Sequence, residues 1–180
     1  MVASTDLTLT RLADTLGAEH AAARTFCLGV IAEFYGFAYR PDWHHDLDSL
    51  TKSAAESHYS AANKGAFWTL TQPDGALAAT AGIKALTWHP NVLASLPGRY
   101  PAPAAVATLM RAYVRKDRRG GGLGTQLNTL CENEARRLGY TTLYLHASSD
   151  TPATIDFWTA RGYTPLGTFG FSTHFDKPLI

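Results

Sequence analysis

Between Val114 and Leu127 the chain passes from an apolar stretch through Arg119-Gly120-Gly121-Gly122-Leu123-Gly124 into residues with helical apolar spacing. Four glycines in five positions are costly, because glycine surrenders more backbone freedom on folding than any other residue. At a strand-to-helix junction the cost has a use. Backbone N–H groups without neighbouring side chains approach a ligand closely, and the positive end of the helix dipole favours an anion there. From residue 106 onward the pattern reads strand, glycine turn, helix, strand, helix, strand, the order of parallel crossover units and of the α/β class.

The rest of the chain fits around that segment. Leu7 and Leu9 place a short strand within Met1–Thr10, and Phe26, Val30, Ile31 and Phe34 place a helix over Ala18–Phe37, ending near Gly36. Tyr39–His45 reads as a loop around Pro41, and Asp46–Ala62 as a second, more polar helix. Gln72-Pro73-Asp74-Gly75 joins strands Ala66–Thr71 and Ala76–Leu86 into a hairpin. Thr87–Ala105, with four prolines, reads as a long loop. Strand Leu109–Val114 leads into the glycine turn, and the helix after it carries Leu123, Leu127, Leu130, Cys131 and Leu138 on one stripe and ends at Gly139. Thr142–Ala147 is a buried strand. Thr151-Pro152 reads as an N-cap and first helical position, the helix stops at Gly162, and Tyr163–Phe169 and Ser172–Phe175 close the sheet.

At 180 residues the expectation is one domain, residues 1–180. Sixteen basic and fifteen acidic residues leave a net charge of +1, so no global field draws the chain to nucleic acid or a membrane surface, and any anion site is local. Cys27 and Cys131 sit in apolar helical patterns, and the first ten residues lack a secretory pattern; a cytoplasmic protein with reduced thiols is the expectation.

Arg115, Lys116, Arg118 and Arg119 add cationic charge beside the glycine amides, which suits a ligand carrying a pyrophosphate and a further phosphate, as coenzyme A does. The plainer alternative is a structural turn with solvated arginines. A P-loop needs Lys-Ser or Lys-Thr after its glycines, and Leu123-Gly124-Thr125 stands there instead; a dinucleotide fingerprint needs glycine or alanine where Thr125 stands.

With the turn so placed, Val114–Leu127 resembles motif A of the GNAT superfamily of acyl-coenzyme A-dependent N-acyltransferases: Arg119, Gly122 and Gly124 match its Arg/Gln-x-x-Gly-x-Gly/Ala pattern. The likeness extends more loosely from Phe67 to Phe169 and includes Asp156-Phe157-Trp158-Thr159-Ala160-Arg161-Gly162-Tyr163. It implies a mixed central sheet flanked by helices, whose parallel strands Leu109–Val114 and Thr142–Ala147 splay apart around acetyl-CoA. A bulged Ala112–Val114 would offer the thioester a backbone N–H near Tyr113 or Val114, and the amides of Arg119, Gly120, Gly121, Gly122, Leu123, Gly124 and Thr125 would hold the pyrophosphate. Thr151 and Trp158 stand where the family often has the asparagine that meets the pantetheine arm and the tyrosine that protonates the leaving thiolate.

The implied reaction is direct attack of a primary amine, of a small molecule or a peptide, on the thioester. An alkylammonium with a pKa near ~10.4 must first lose a proton. His146, at the C-terminal end of its strand, is a candidate base or, equally, a hydrogen-bonded core histidine. Indole donates no proton at useful cost, so Tyr163, Tyr113, His146 or solvent is left to protonate the thiolate. Glu33, Tyr39, Asp46 and Asp48 attract an amine at the first interhelical loop, or form helix surface with Asp46 as an N-cap. Trp88, His89, Arg99 and Tyr100 cover the acceptor or pack a homodimer interface. His44 and His45 lack a third ligand at suitable spacing, so no metal is expected. The alternative to an enzyme is a non-catalytic acyl-CoA-binding module.

Overall fold

The computed structural model describes residues 6–179, so residues 1–5 of the expected first strand lie outside it. The chain forms two compact units: the chain up to Lys84 with Met110–Cys131, and Ala85–Leu109 with the chain from Glu132 onward.

In the first unit, β1 (Thr8–Arg11) pairs antiparallel with β2 (Ala66–Thr71), Thr8 opposite Thr71, and β2 pairs antiparallel with β3 (Leu77–Ala85). Local chemistry makes the hairpin. Gly75 adopts φ +85° and its N–H bonds the Gln72 carbonyl, while the Asp74 carboxylate accepts from the Ala76 N–H. Helix α1 (Ala18–Tyr35) buries Ala23, Cys27, Val30 and Ile31, and ends where Gly36, at φ +69°, returns its N–H to the Ala32 carbonyl. Phe34, expected on that apolar stripe, is 44% exposed.

Helix α2 spans Pro41–Ser49, not Asp46–Ala62. Pro41 starts the helix inside the segment expected as a loop, because proline's missing N–H and fixed φ suit the first helical position. After Ser49 come turns and a short 3-10 helix, Ala61–Asn63, capped by the Ser60 side chain. Cys27 and Ile31, Leu47 of α2, Phe67 and Met110 form the core with Leu12, Leu50 and Tyr59. Full burial of side chains this size contributes about 1.5–3 kcal/mol each.

The second unit begins with the segment expected as a long loop, and that expectation is corrected. A 3-10 turn (Leu86–Trp88), helix α3 (Pro90–Ser95) and a 3-10 turn (Pro103–Ala105) occupy it, with Pro90 and Pro103 at N-terminal helical positions. Strand β4 (Val106–Val114) runs through both units, and helix α4 (Leu123–Arg137) comes after the glycine turn. β5 (Thr142–Ser148) pairs parallel with β4 over Val106–Thr108 and Thr142–Tyr144. β5 also pairs antiparallel along its length with β7 (Ser172–Pro178), which carries β6 (Thr164–Phe169). Hydrogen bonding thus orders a seven-stranded mixed sheet β1-β2-β3-β4-β5-β7-β6. Helix α5 (Pro152–Thr159) has Pro152 in its first turn as expected, but the Thr151 side chain makes no capping bond. Leu86, Val92, Leu96, Val106 and Tyr144 form this unit's core.

Candidate active site

In the first unit, the second half of β4 and the glycine turn are neighbours in sequence and are fastened in space. β4 leaves extended geometry at Arg111, whose φ is +53° in a residue with a side chain. Gly120 (φ +80°) and Gly122 (φ +83°) are also left-handed. A Cβ at either would meet nothing within 4 Å, so conformation and open approach, not crowding, account for glycine there. The first bond of helix α4 runs from the Gln126 N–H to the Gly122 carbonyl. The amides of the turn sit at the positive end of that helix.

The basic residues beside the turn are not equivalent. Arg115 is held bidentately by Asp117 at 2.6 and 2.7 Å, and Arg118 donates to the Gln72 side chain. Arg119 donates from Nε to the Val114 carbonyl at 3.0 Å and lies over the Phe34 ring, clasping the end of β4 to the turn. Its role is as much to close the loop as to supply charge.

Tyr113 packs against the first unit's core, and its hydroxyl accepts from Arg111 Nη1 at 3.3 Å. Burial pushes its pKa up to about 12 against the opposing pull of Arg111. Asp46 is not an N-cap: it lies mid-helix, buried and paired with Arg111. Burial alone would raise its pKa, but the guanidinium holds the carboxyl far below the usual carboxylate range. Asp48 is bound by Arg24 and the Tyr39 hydroxyl, and they lower its pKa against burial. Two of the three carboxylates expected to attract an amine are thus neutralised within the unit.

In the second unit His146 is exposed at the end of β5, which removes the buried-core reading. Cross-strand pairing sets it opposite His174, with ring centroids 5.7 Å apart, and the His89 ring is 6.3 Å away. The Tyr144 hydroxyl lies 2.7 Å from His174 Nδ1 and 3.5 Å from His146 Nδ1. Burial lowers the His174 pKa, so His174 is a neutral partner in this cluster. Tyr163 is 2% exposed, packed edge-on against Trp158 with the Lys177 ammonium over its ring. Trp158 is 7% exposed and also meets Phe157, a core position. Among the described residues no group of three or more His, Cys, Asp or Glu is arranged for a metal ion, and no helix is long and apolar enough to cross a membrane.

The sequence matches the Acetyltransferase (GNAT) family over residues 29–163, well over half of the chain. The chain belongs to the GNAT acetyltransferase family. Solved structures agree on the fold. A GNAT acetyltransferase from Staphylococcus aureus Mu50 is 12% identical with a TM-score of 0.69, covering 96% of this chain and 100% of its own. The PaiA N-acetyltransferase of Thermoplasma acidophilum, solved with coenzyme A, is 13% identical with a TM-score of 0.66, covering 97% and 99%. The yncA protein of Salmonella typhimurium, solved with acetyl-CoA, is 17% identical with a TM-score of 0.66, covering 98% and 95%. A search of curated proteins returned no match.

For this GNAT chain the fold places Ala112, Tyr113, Val114 and the Arg119–Thr125 turn in the first unit, and His146, Thr151, Trp158 and Tyr163 in the second. Two features have no place in the sequence expectations. His174 meets His146 only through strand register, which has no local signature. Arg111 does leave a signal: it is the single charge in Leu109-Met110-Arg111-Ala112-Tyr113-Val114, and a charge within a buried strand demands a partner.

Proposed function

We propose that this GNAT protein transfers the acetyl group of acetyl-CoA to a primary amine of a small molecule or peptide, by direct attack. The observation that carries the reading is the pair of left-handed glycines, Gly120 and Gly122, leading into α4 with Arg119 clasped to Val114. The amides of residues 119–125 are assigned to the pyrophosphate and Ala112–Val114 to the thioester, with a backbone N–H stabilising the oxyanion as the amine adds to the carbonyl carbon. Relatives solved with coenzyme A and acetyl-CoA support that ligand. Thr151 and Trp158 are assigned to the pantetheine side.

His146 is assigned as the base, supported by its exposure at a strand end and its Tyr144–His174 backing. The ammonium first gives up one proton to solvent; as the neutral amine's nitrogen bonds the carbonyl carbon, His146 takes a second proton from it, the C–S bond then breaks, and the imidazolium returns that proton to the thiolate. Tyr113, with its pKa pushed up to about 12, and the buried Tyr163 are less suited as donors.

The test is coenzyme A thiol release from acetyl-CoA across a panel of primary amines, with wild type and His146→Ala. Thiol release that falls about 100-fold in His146→Ala, with the low-pH limb of the wild-type profile removed, supports the assignment. Acetyl-CoA binding with no release for any amine supports the non-catalytic binding module, the reading favoured by an indole at residue 158.

A further inference from the structure

The first unit buries an ion pair that no step of the proposed reaction uses. Arg111 donates from Nε to Asp46 Oδ2 at 3.0 Å and from Nη2 to Asp46 Oδ1 at 2.5 Å. Its Nη2 also reaches the Trp43 carbonyl at 2.9 Å, and the Tyr59 hydroxyl donates to Asp46 Oδ2 at 2.6 Å. Asp46 is 1% exposed and the Arg111 side chain 10%. The same arginine is the left-handed residue of β4, and its carbonyl accepts from the Thr80 hydroxyl at 2.9 Å.

The ion pair and the kink explain one another. A residue with a Cβ keeps a positive φ inside a strand only where its surroundings over-determine it. Here the guanidinium is fixed by α2 and the carbonyl by β3, so the backbone between them has little freedom. Stability alone is a poor reason for the pair, since two packed apolar side chains often serve a fold as well as a buried ion pair. Orientation is a better one, because a planar fork gripping a carboxylate fixes direction as well as distance.

We propose that the Asp46–Arg111 pair is a positioning device: it enforces the left-handed kink at Arg111 and so aims the Ala112–Val114 amides. The inference rests on the reading that these amides face the thioester carbonyl. Asp46 and Arg111 are positioning residues and do not touch the reacting atoms.

The test is isotope-edited infrared difference spectroscopy of acetyl-CoA carrying a 13C carbonyl, bound to wild type, to Arg111→Lys and to the double variant Asp46→Asn/Arg111→Gly. Lysine keeps the charge and loses the fork. The double variant removes both members of the pair and gives residue 111 a backbone that accepts positive φ freely. Expected is a thioester carbonyl band shifted to lower frequency in bound wild type, and loss of most of that shift in both variants, with affinity for acetyl-CoA changed less than threefold. A purely structural pair predicts a lower melting midpoint with the shift intact, and that result overturns the proposal, as does a bound wild type with no shift. Failure of wild type to bind acetyl-CoA at all removes the functional reading first, and the proposal with it.

Discussion

Each unit buries a carboxylate under an arginine fork, and the two forks do different work. Asp176 of β7 receives Arg99 at 3.0 Å through both nitrogens and the Tyr100 hydroxyl at 2.9 Å, which ties the segment after α3 to the sheet. Arg99 keeps 49% of its side chain in solvent and needs no unusual backbone; Arg111 is almost enclosed and sits at φ +53°. The same chemistry that tethers a connecting segment in one unit holds a strand out of regular geometry in the other. Solvent access separates a fastening that can slip from one that cannot.

Removing each arginine gives the largest contrast. Arg111→Ala leaves Asp46 buried beside Tyr59 with its main counter-charge gone, and is expected to cost about 3–5 kcal/mol in urea unfolding. Arg99→Ala leaves Asp176 its Tyr100 hydrogen bond and lets water replace a half-exposed arm, for roughly 1–2 kcal/mol. Equal losses would show that enclosure does not set the difference.

The second contrast is in acid. The first unit also buries Lys84, whose Nζ lies 3.3 Å from His58 Nδ1. Burial, Lys84 and His45 push the His58 pKa down to about 4, and burial pushes Lys84 down to about 8 despite the Asp46 carboxylate. Between pH 6.5 and 4 the unfolded chain binds a proton at residue 58 that the folded one refuses, so stability falls as pH falls, by about 2–3 kcal/mol. Unfolding measured across that range should show the slope in wild type and a flatter one in His58→Gln. Lys84 has the same sign at higher pH: stability rises from about 8 toward 10.5, and Lys84→Met should abolish that rise. An unchanged slope in either variant locates the proton elsewhere.

Legibility in the sequence divides along the same line, between local and distant causes. The hairpin at Gln72–Gly75, the helix end at Gly36 and the glycine turn before α4 are made by residues within a few positions of one another, and each stands where the sequence predicts it. Pro41 and Pro90 read as breakers because proline ends a helix as readily as it begins one; the residues after the proline decide between the two, and in α2 and α3 tertiary packing tips them toward a helix. Asp46 with Arg111, and His146 with His174, meet across 65 and 28 residues through packing and register that no window of sequence contains. The family pattern marks the glycine turn, whereas the pairing of Arg111 with Asp46 becomes visible only in three dimensions.

The smallest expected effect separates the turn from both forks. Gly122→Ala meets no atom within 4 Å but places a Cβ on a left-handed backbone, so about 1 kcal/mol of stability should go. Acetyl-CoA affinity should fall about tenfold, since the methyl stands where an anion approaches, while the His58-dependent slope of stability against pH stays as in wild type. A loss of stability with unchanged affinity would make the glycine a folding requirement only.

Calorimetric titration of the wild-type protein with acetyl-CoA, and in parallel with S-acetylpantetheine, which carries the thioester without the diphosphate, tests the assignment of the glycine turn most directly. Micromolar binding of acetyl-CoA and at least 100-fold weaker binding of the phosphate-free thioester is the predicted result. Equal affinities, or no heat from acetyl-CoA at high micromolar concentration, would contradict it.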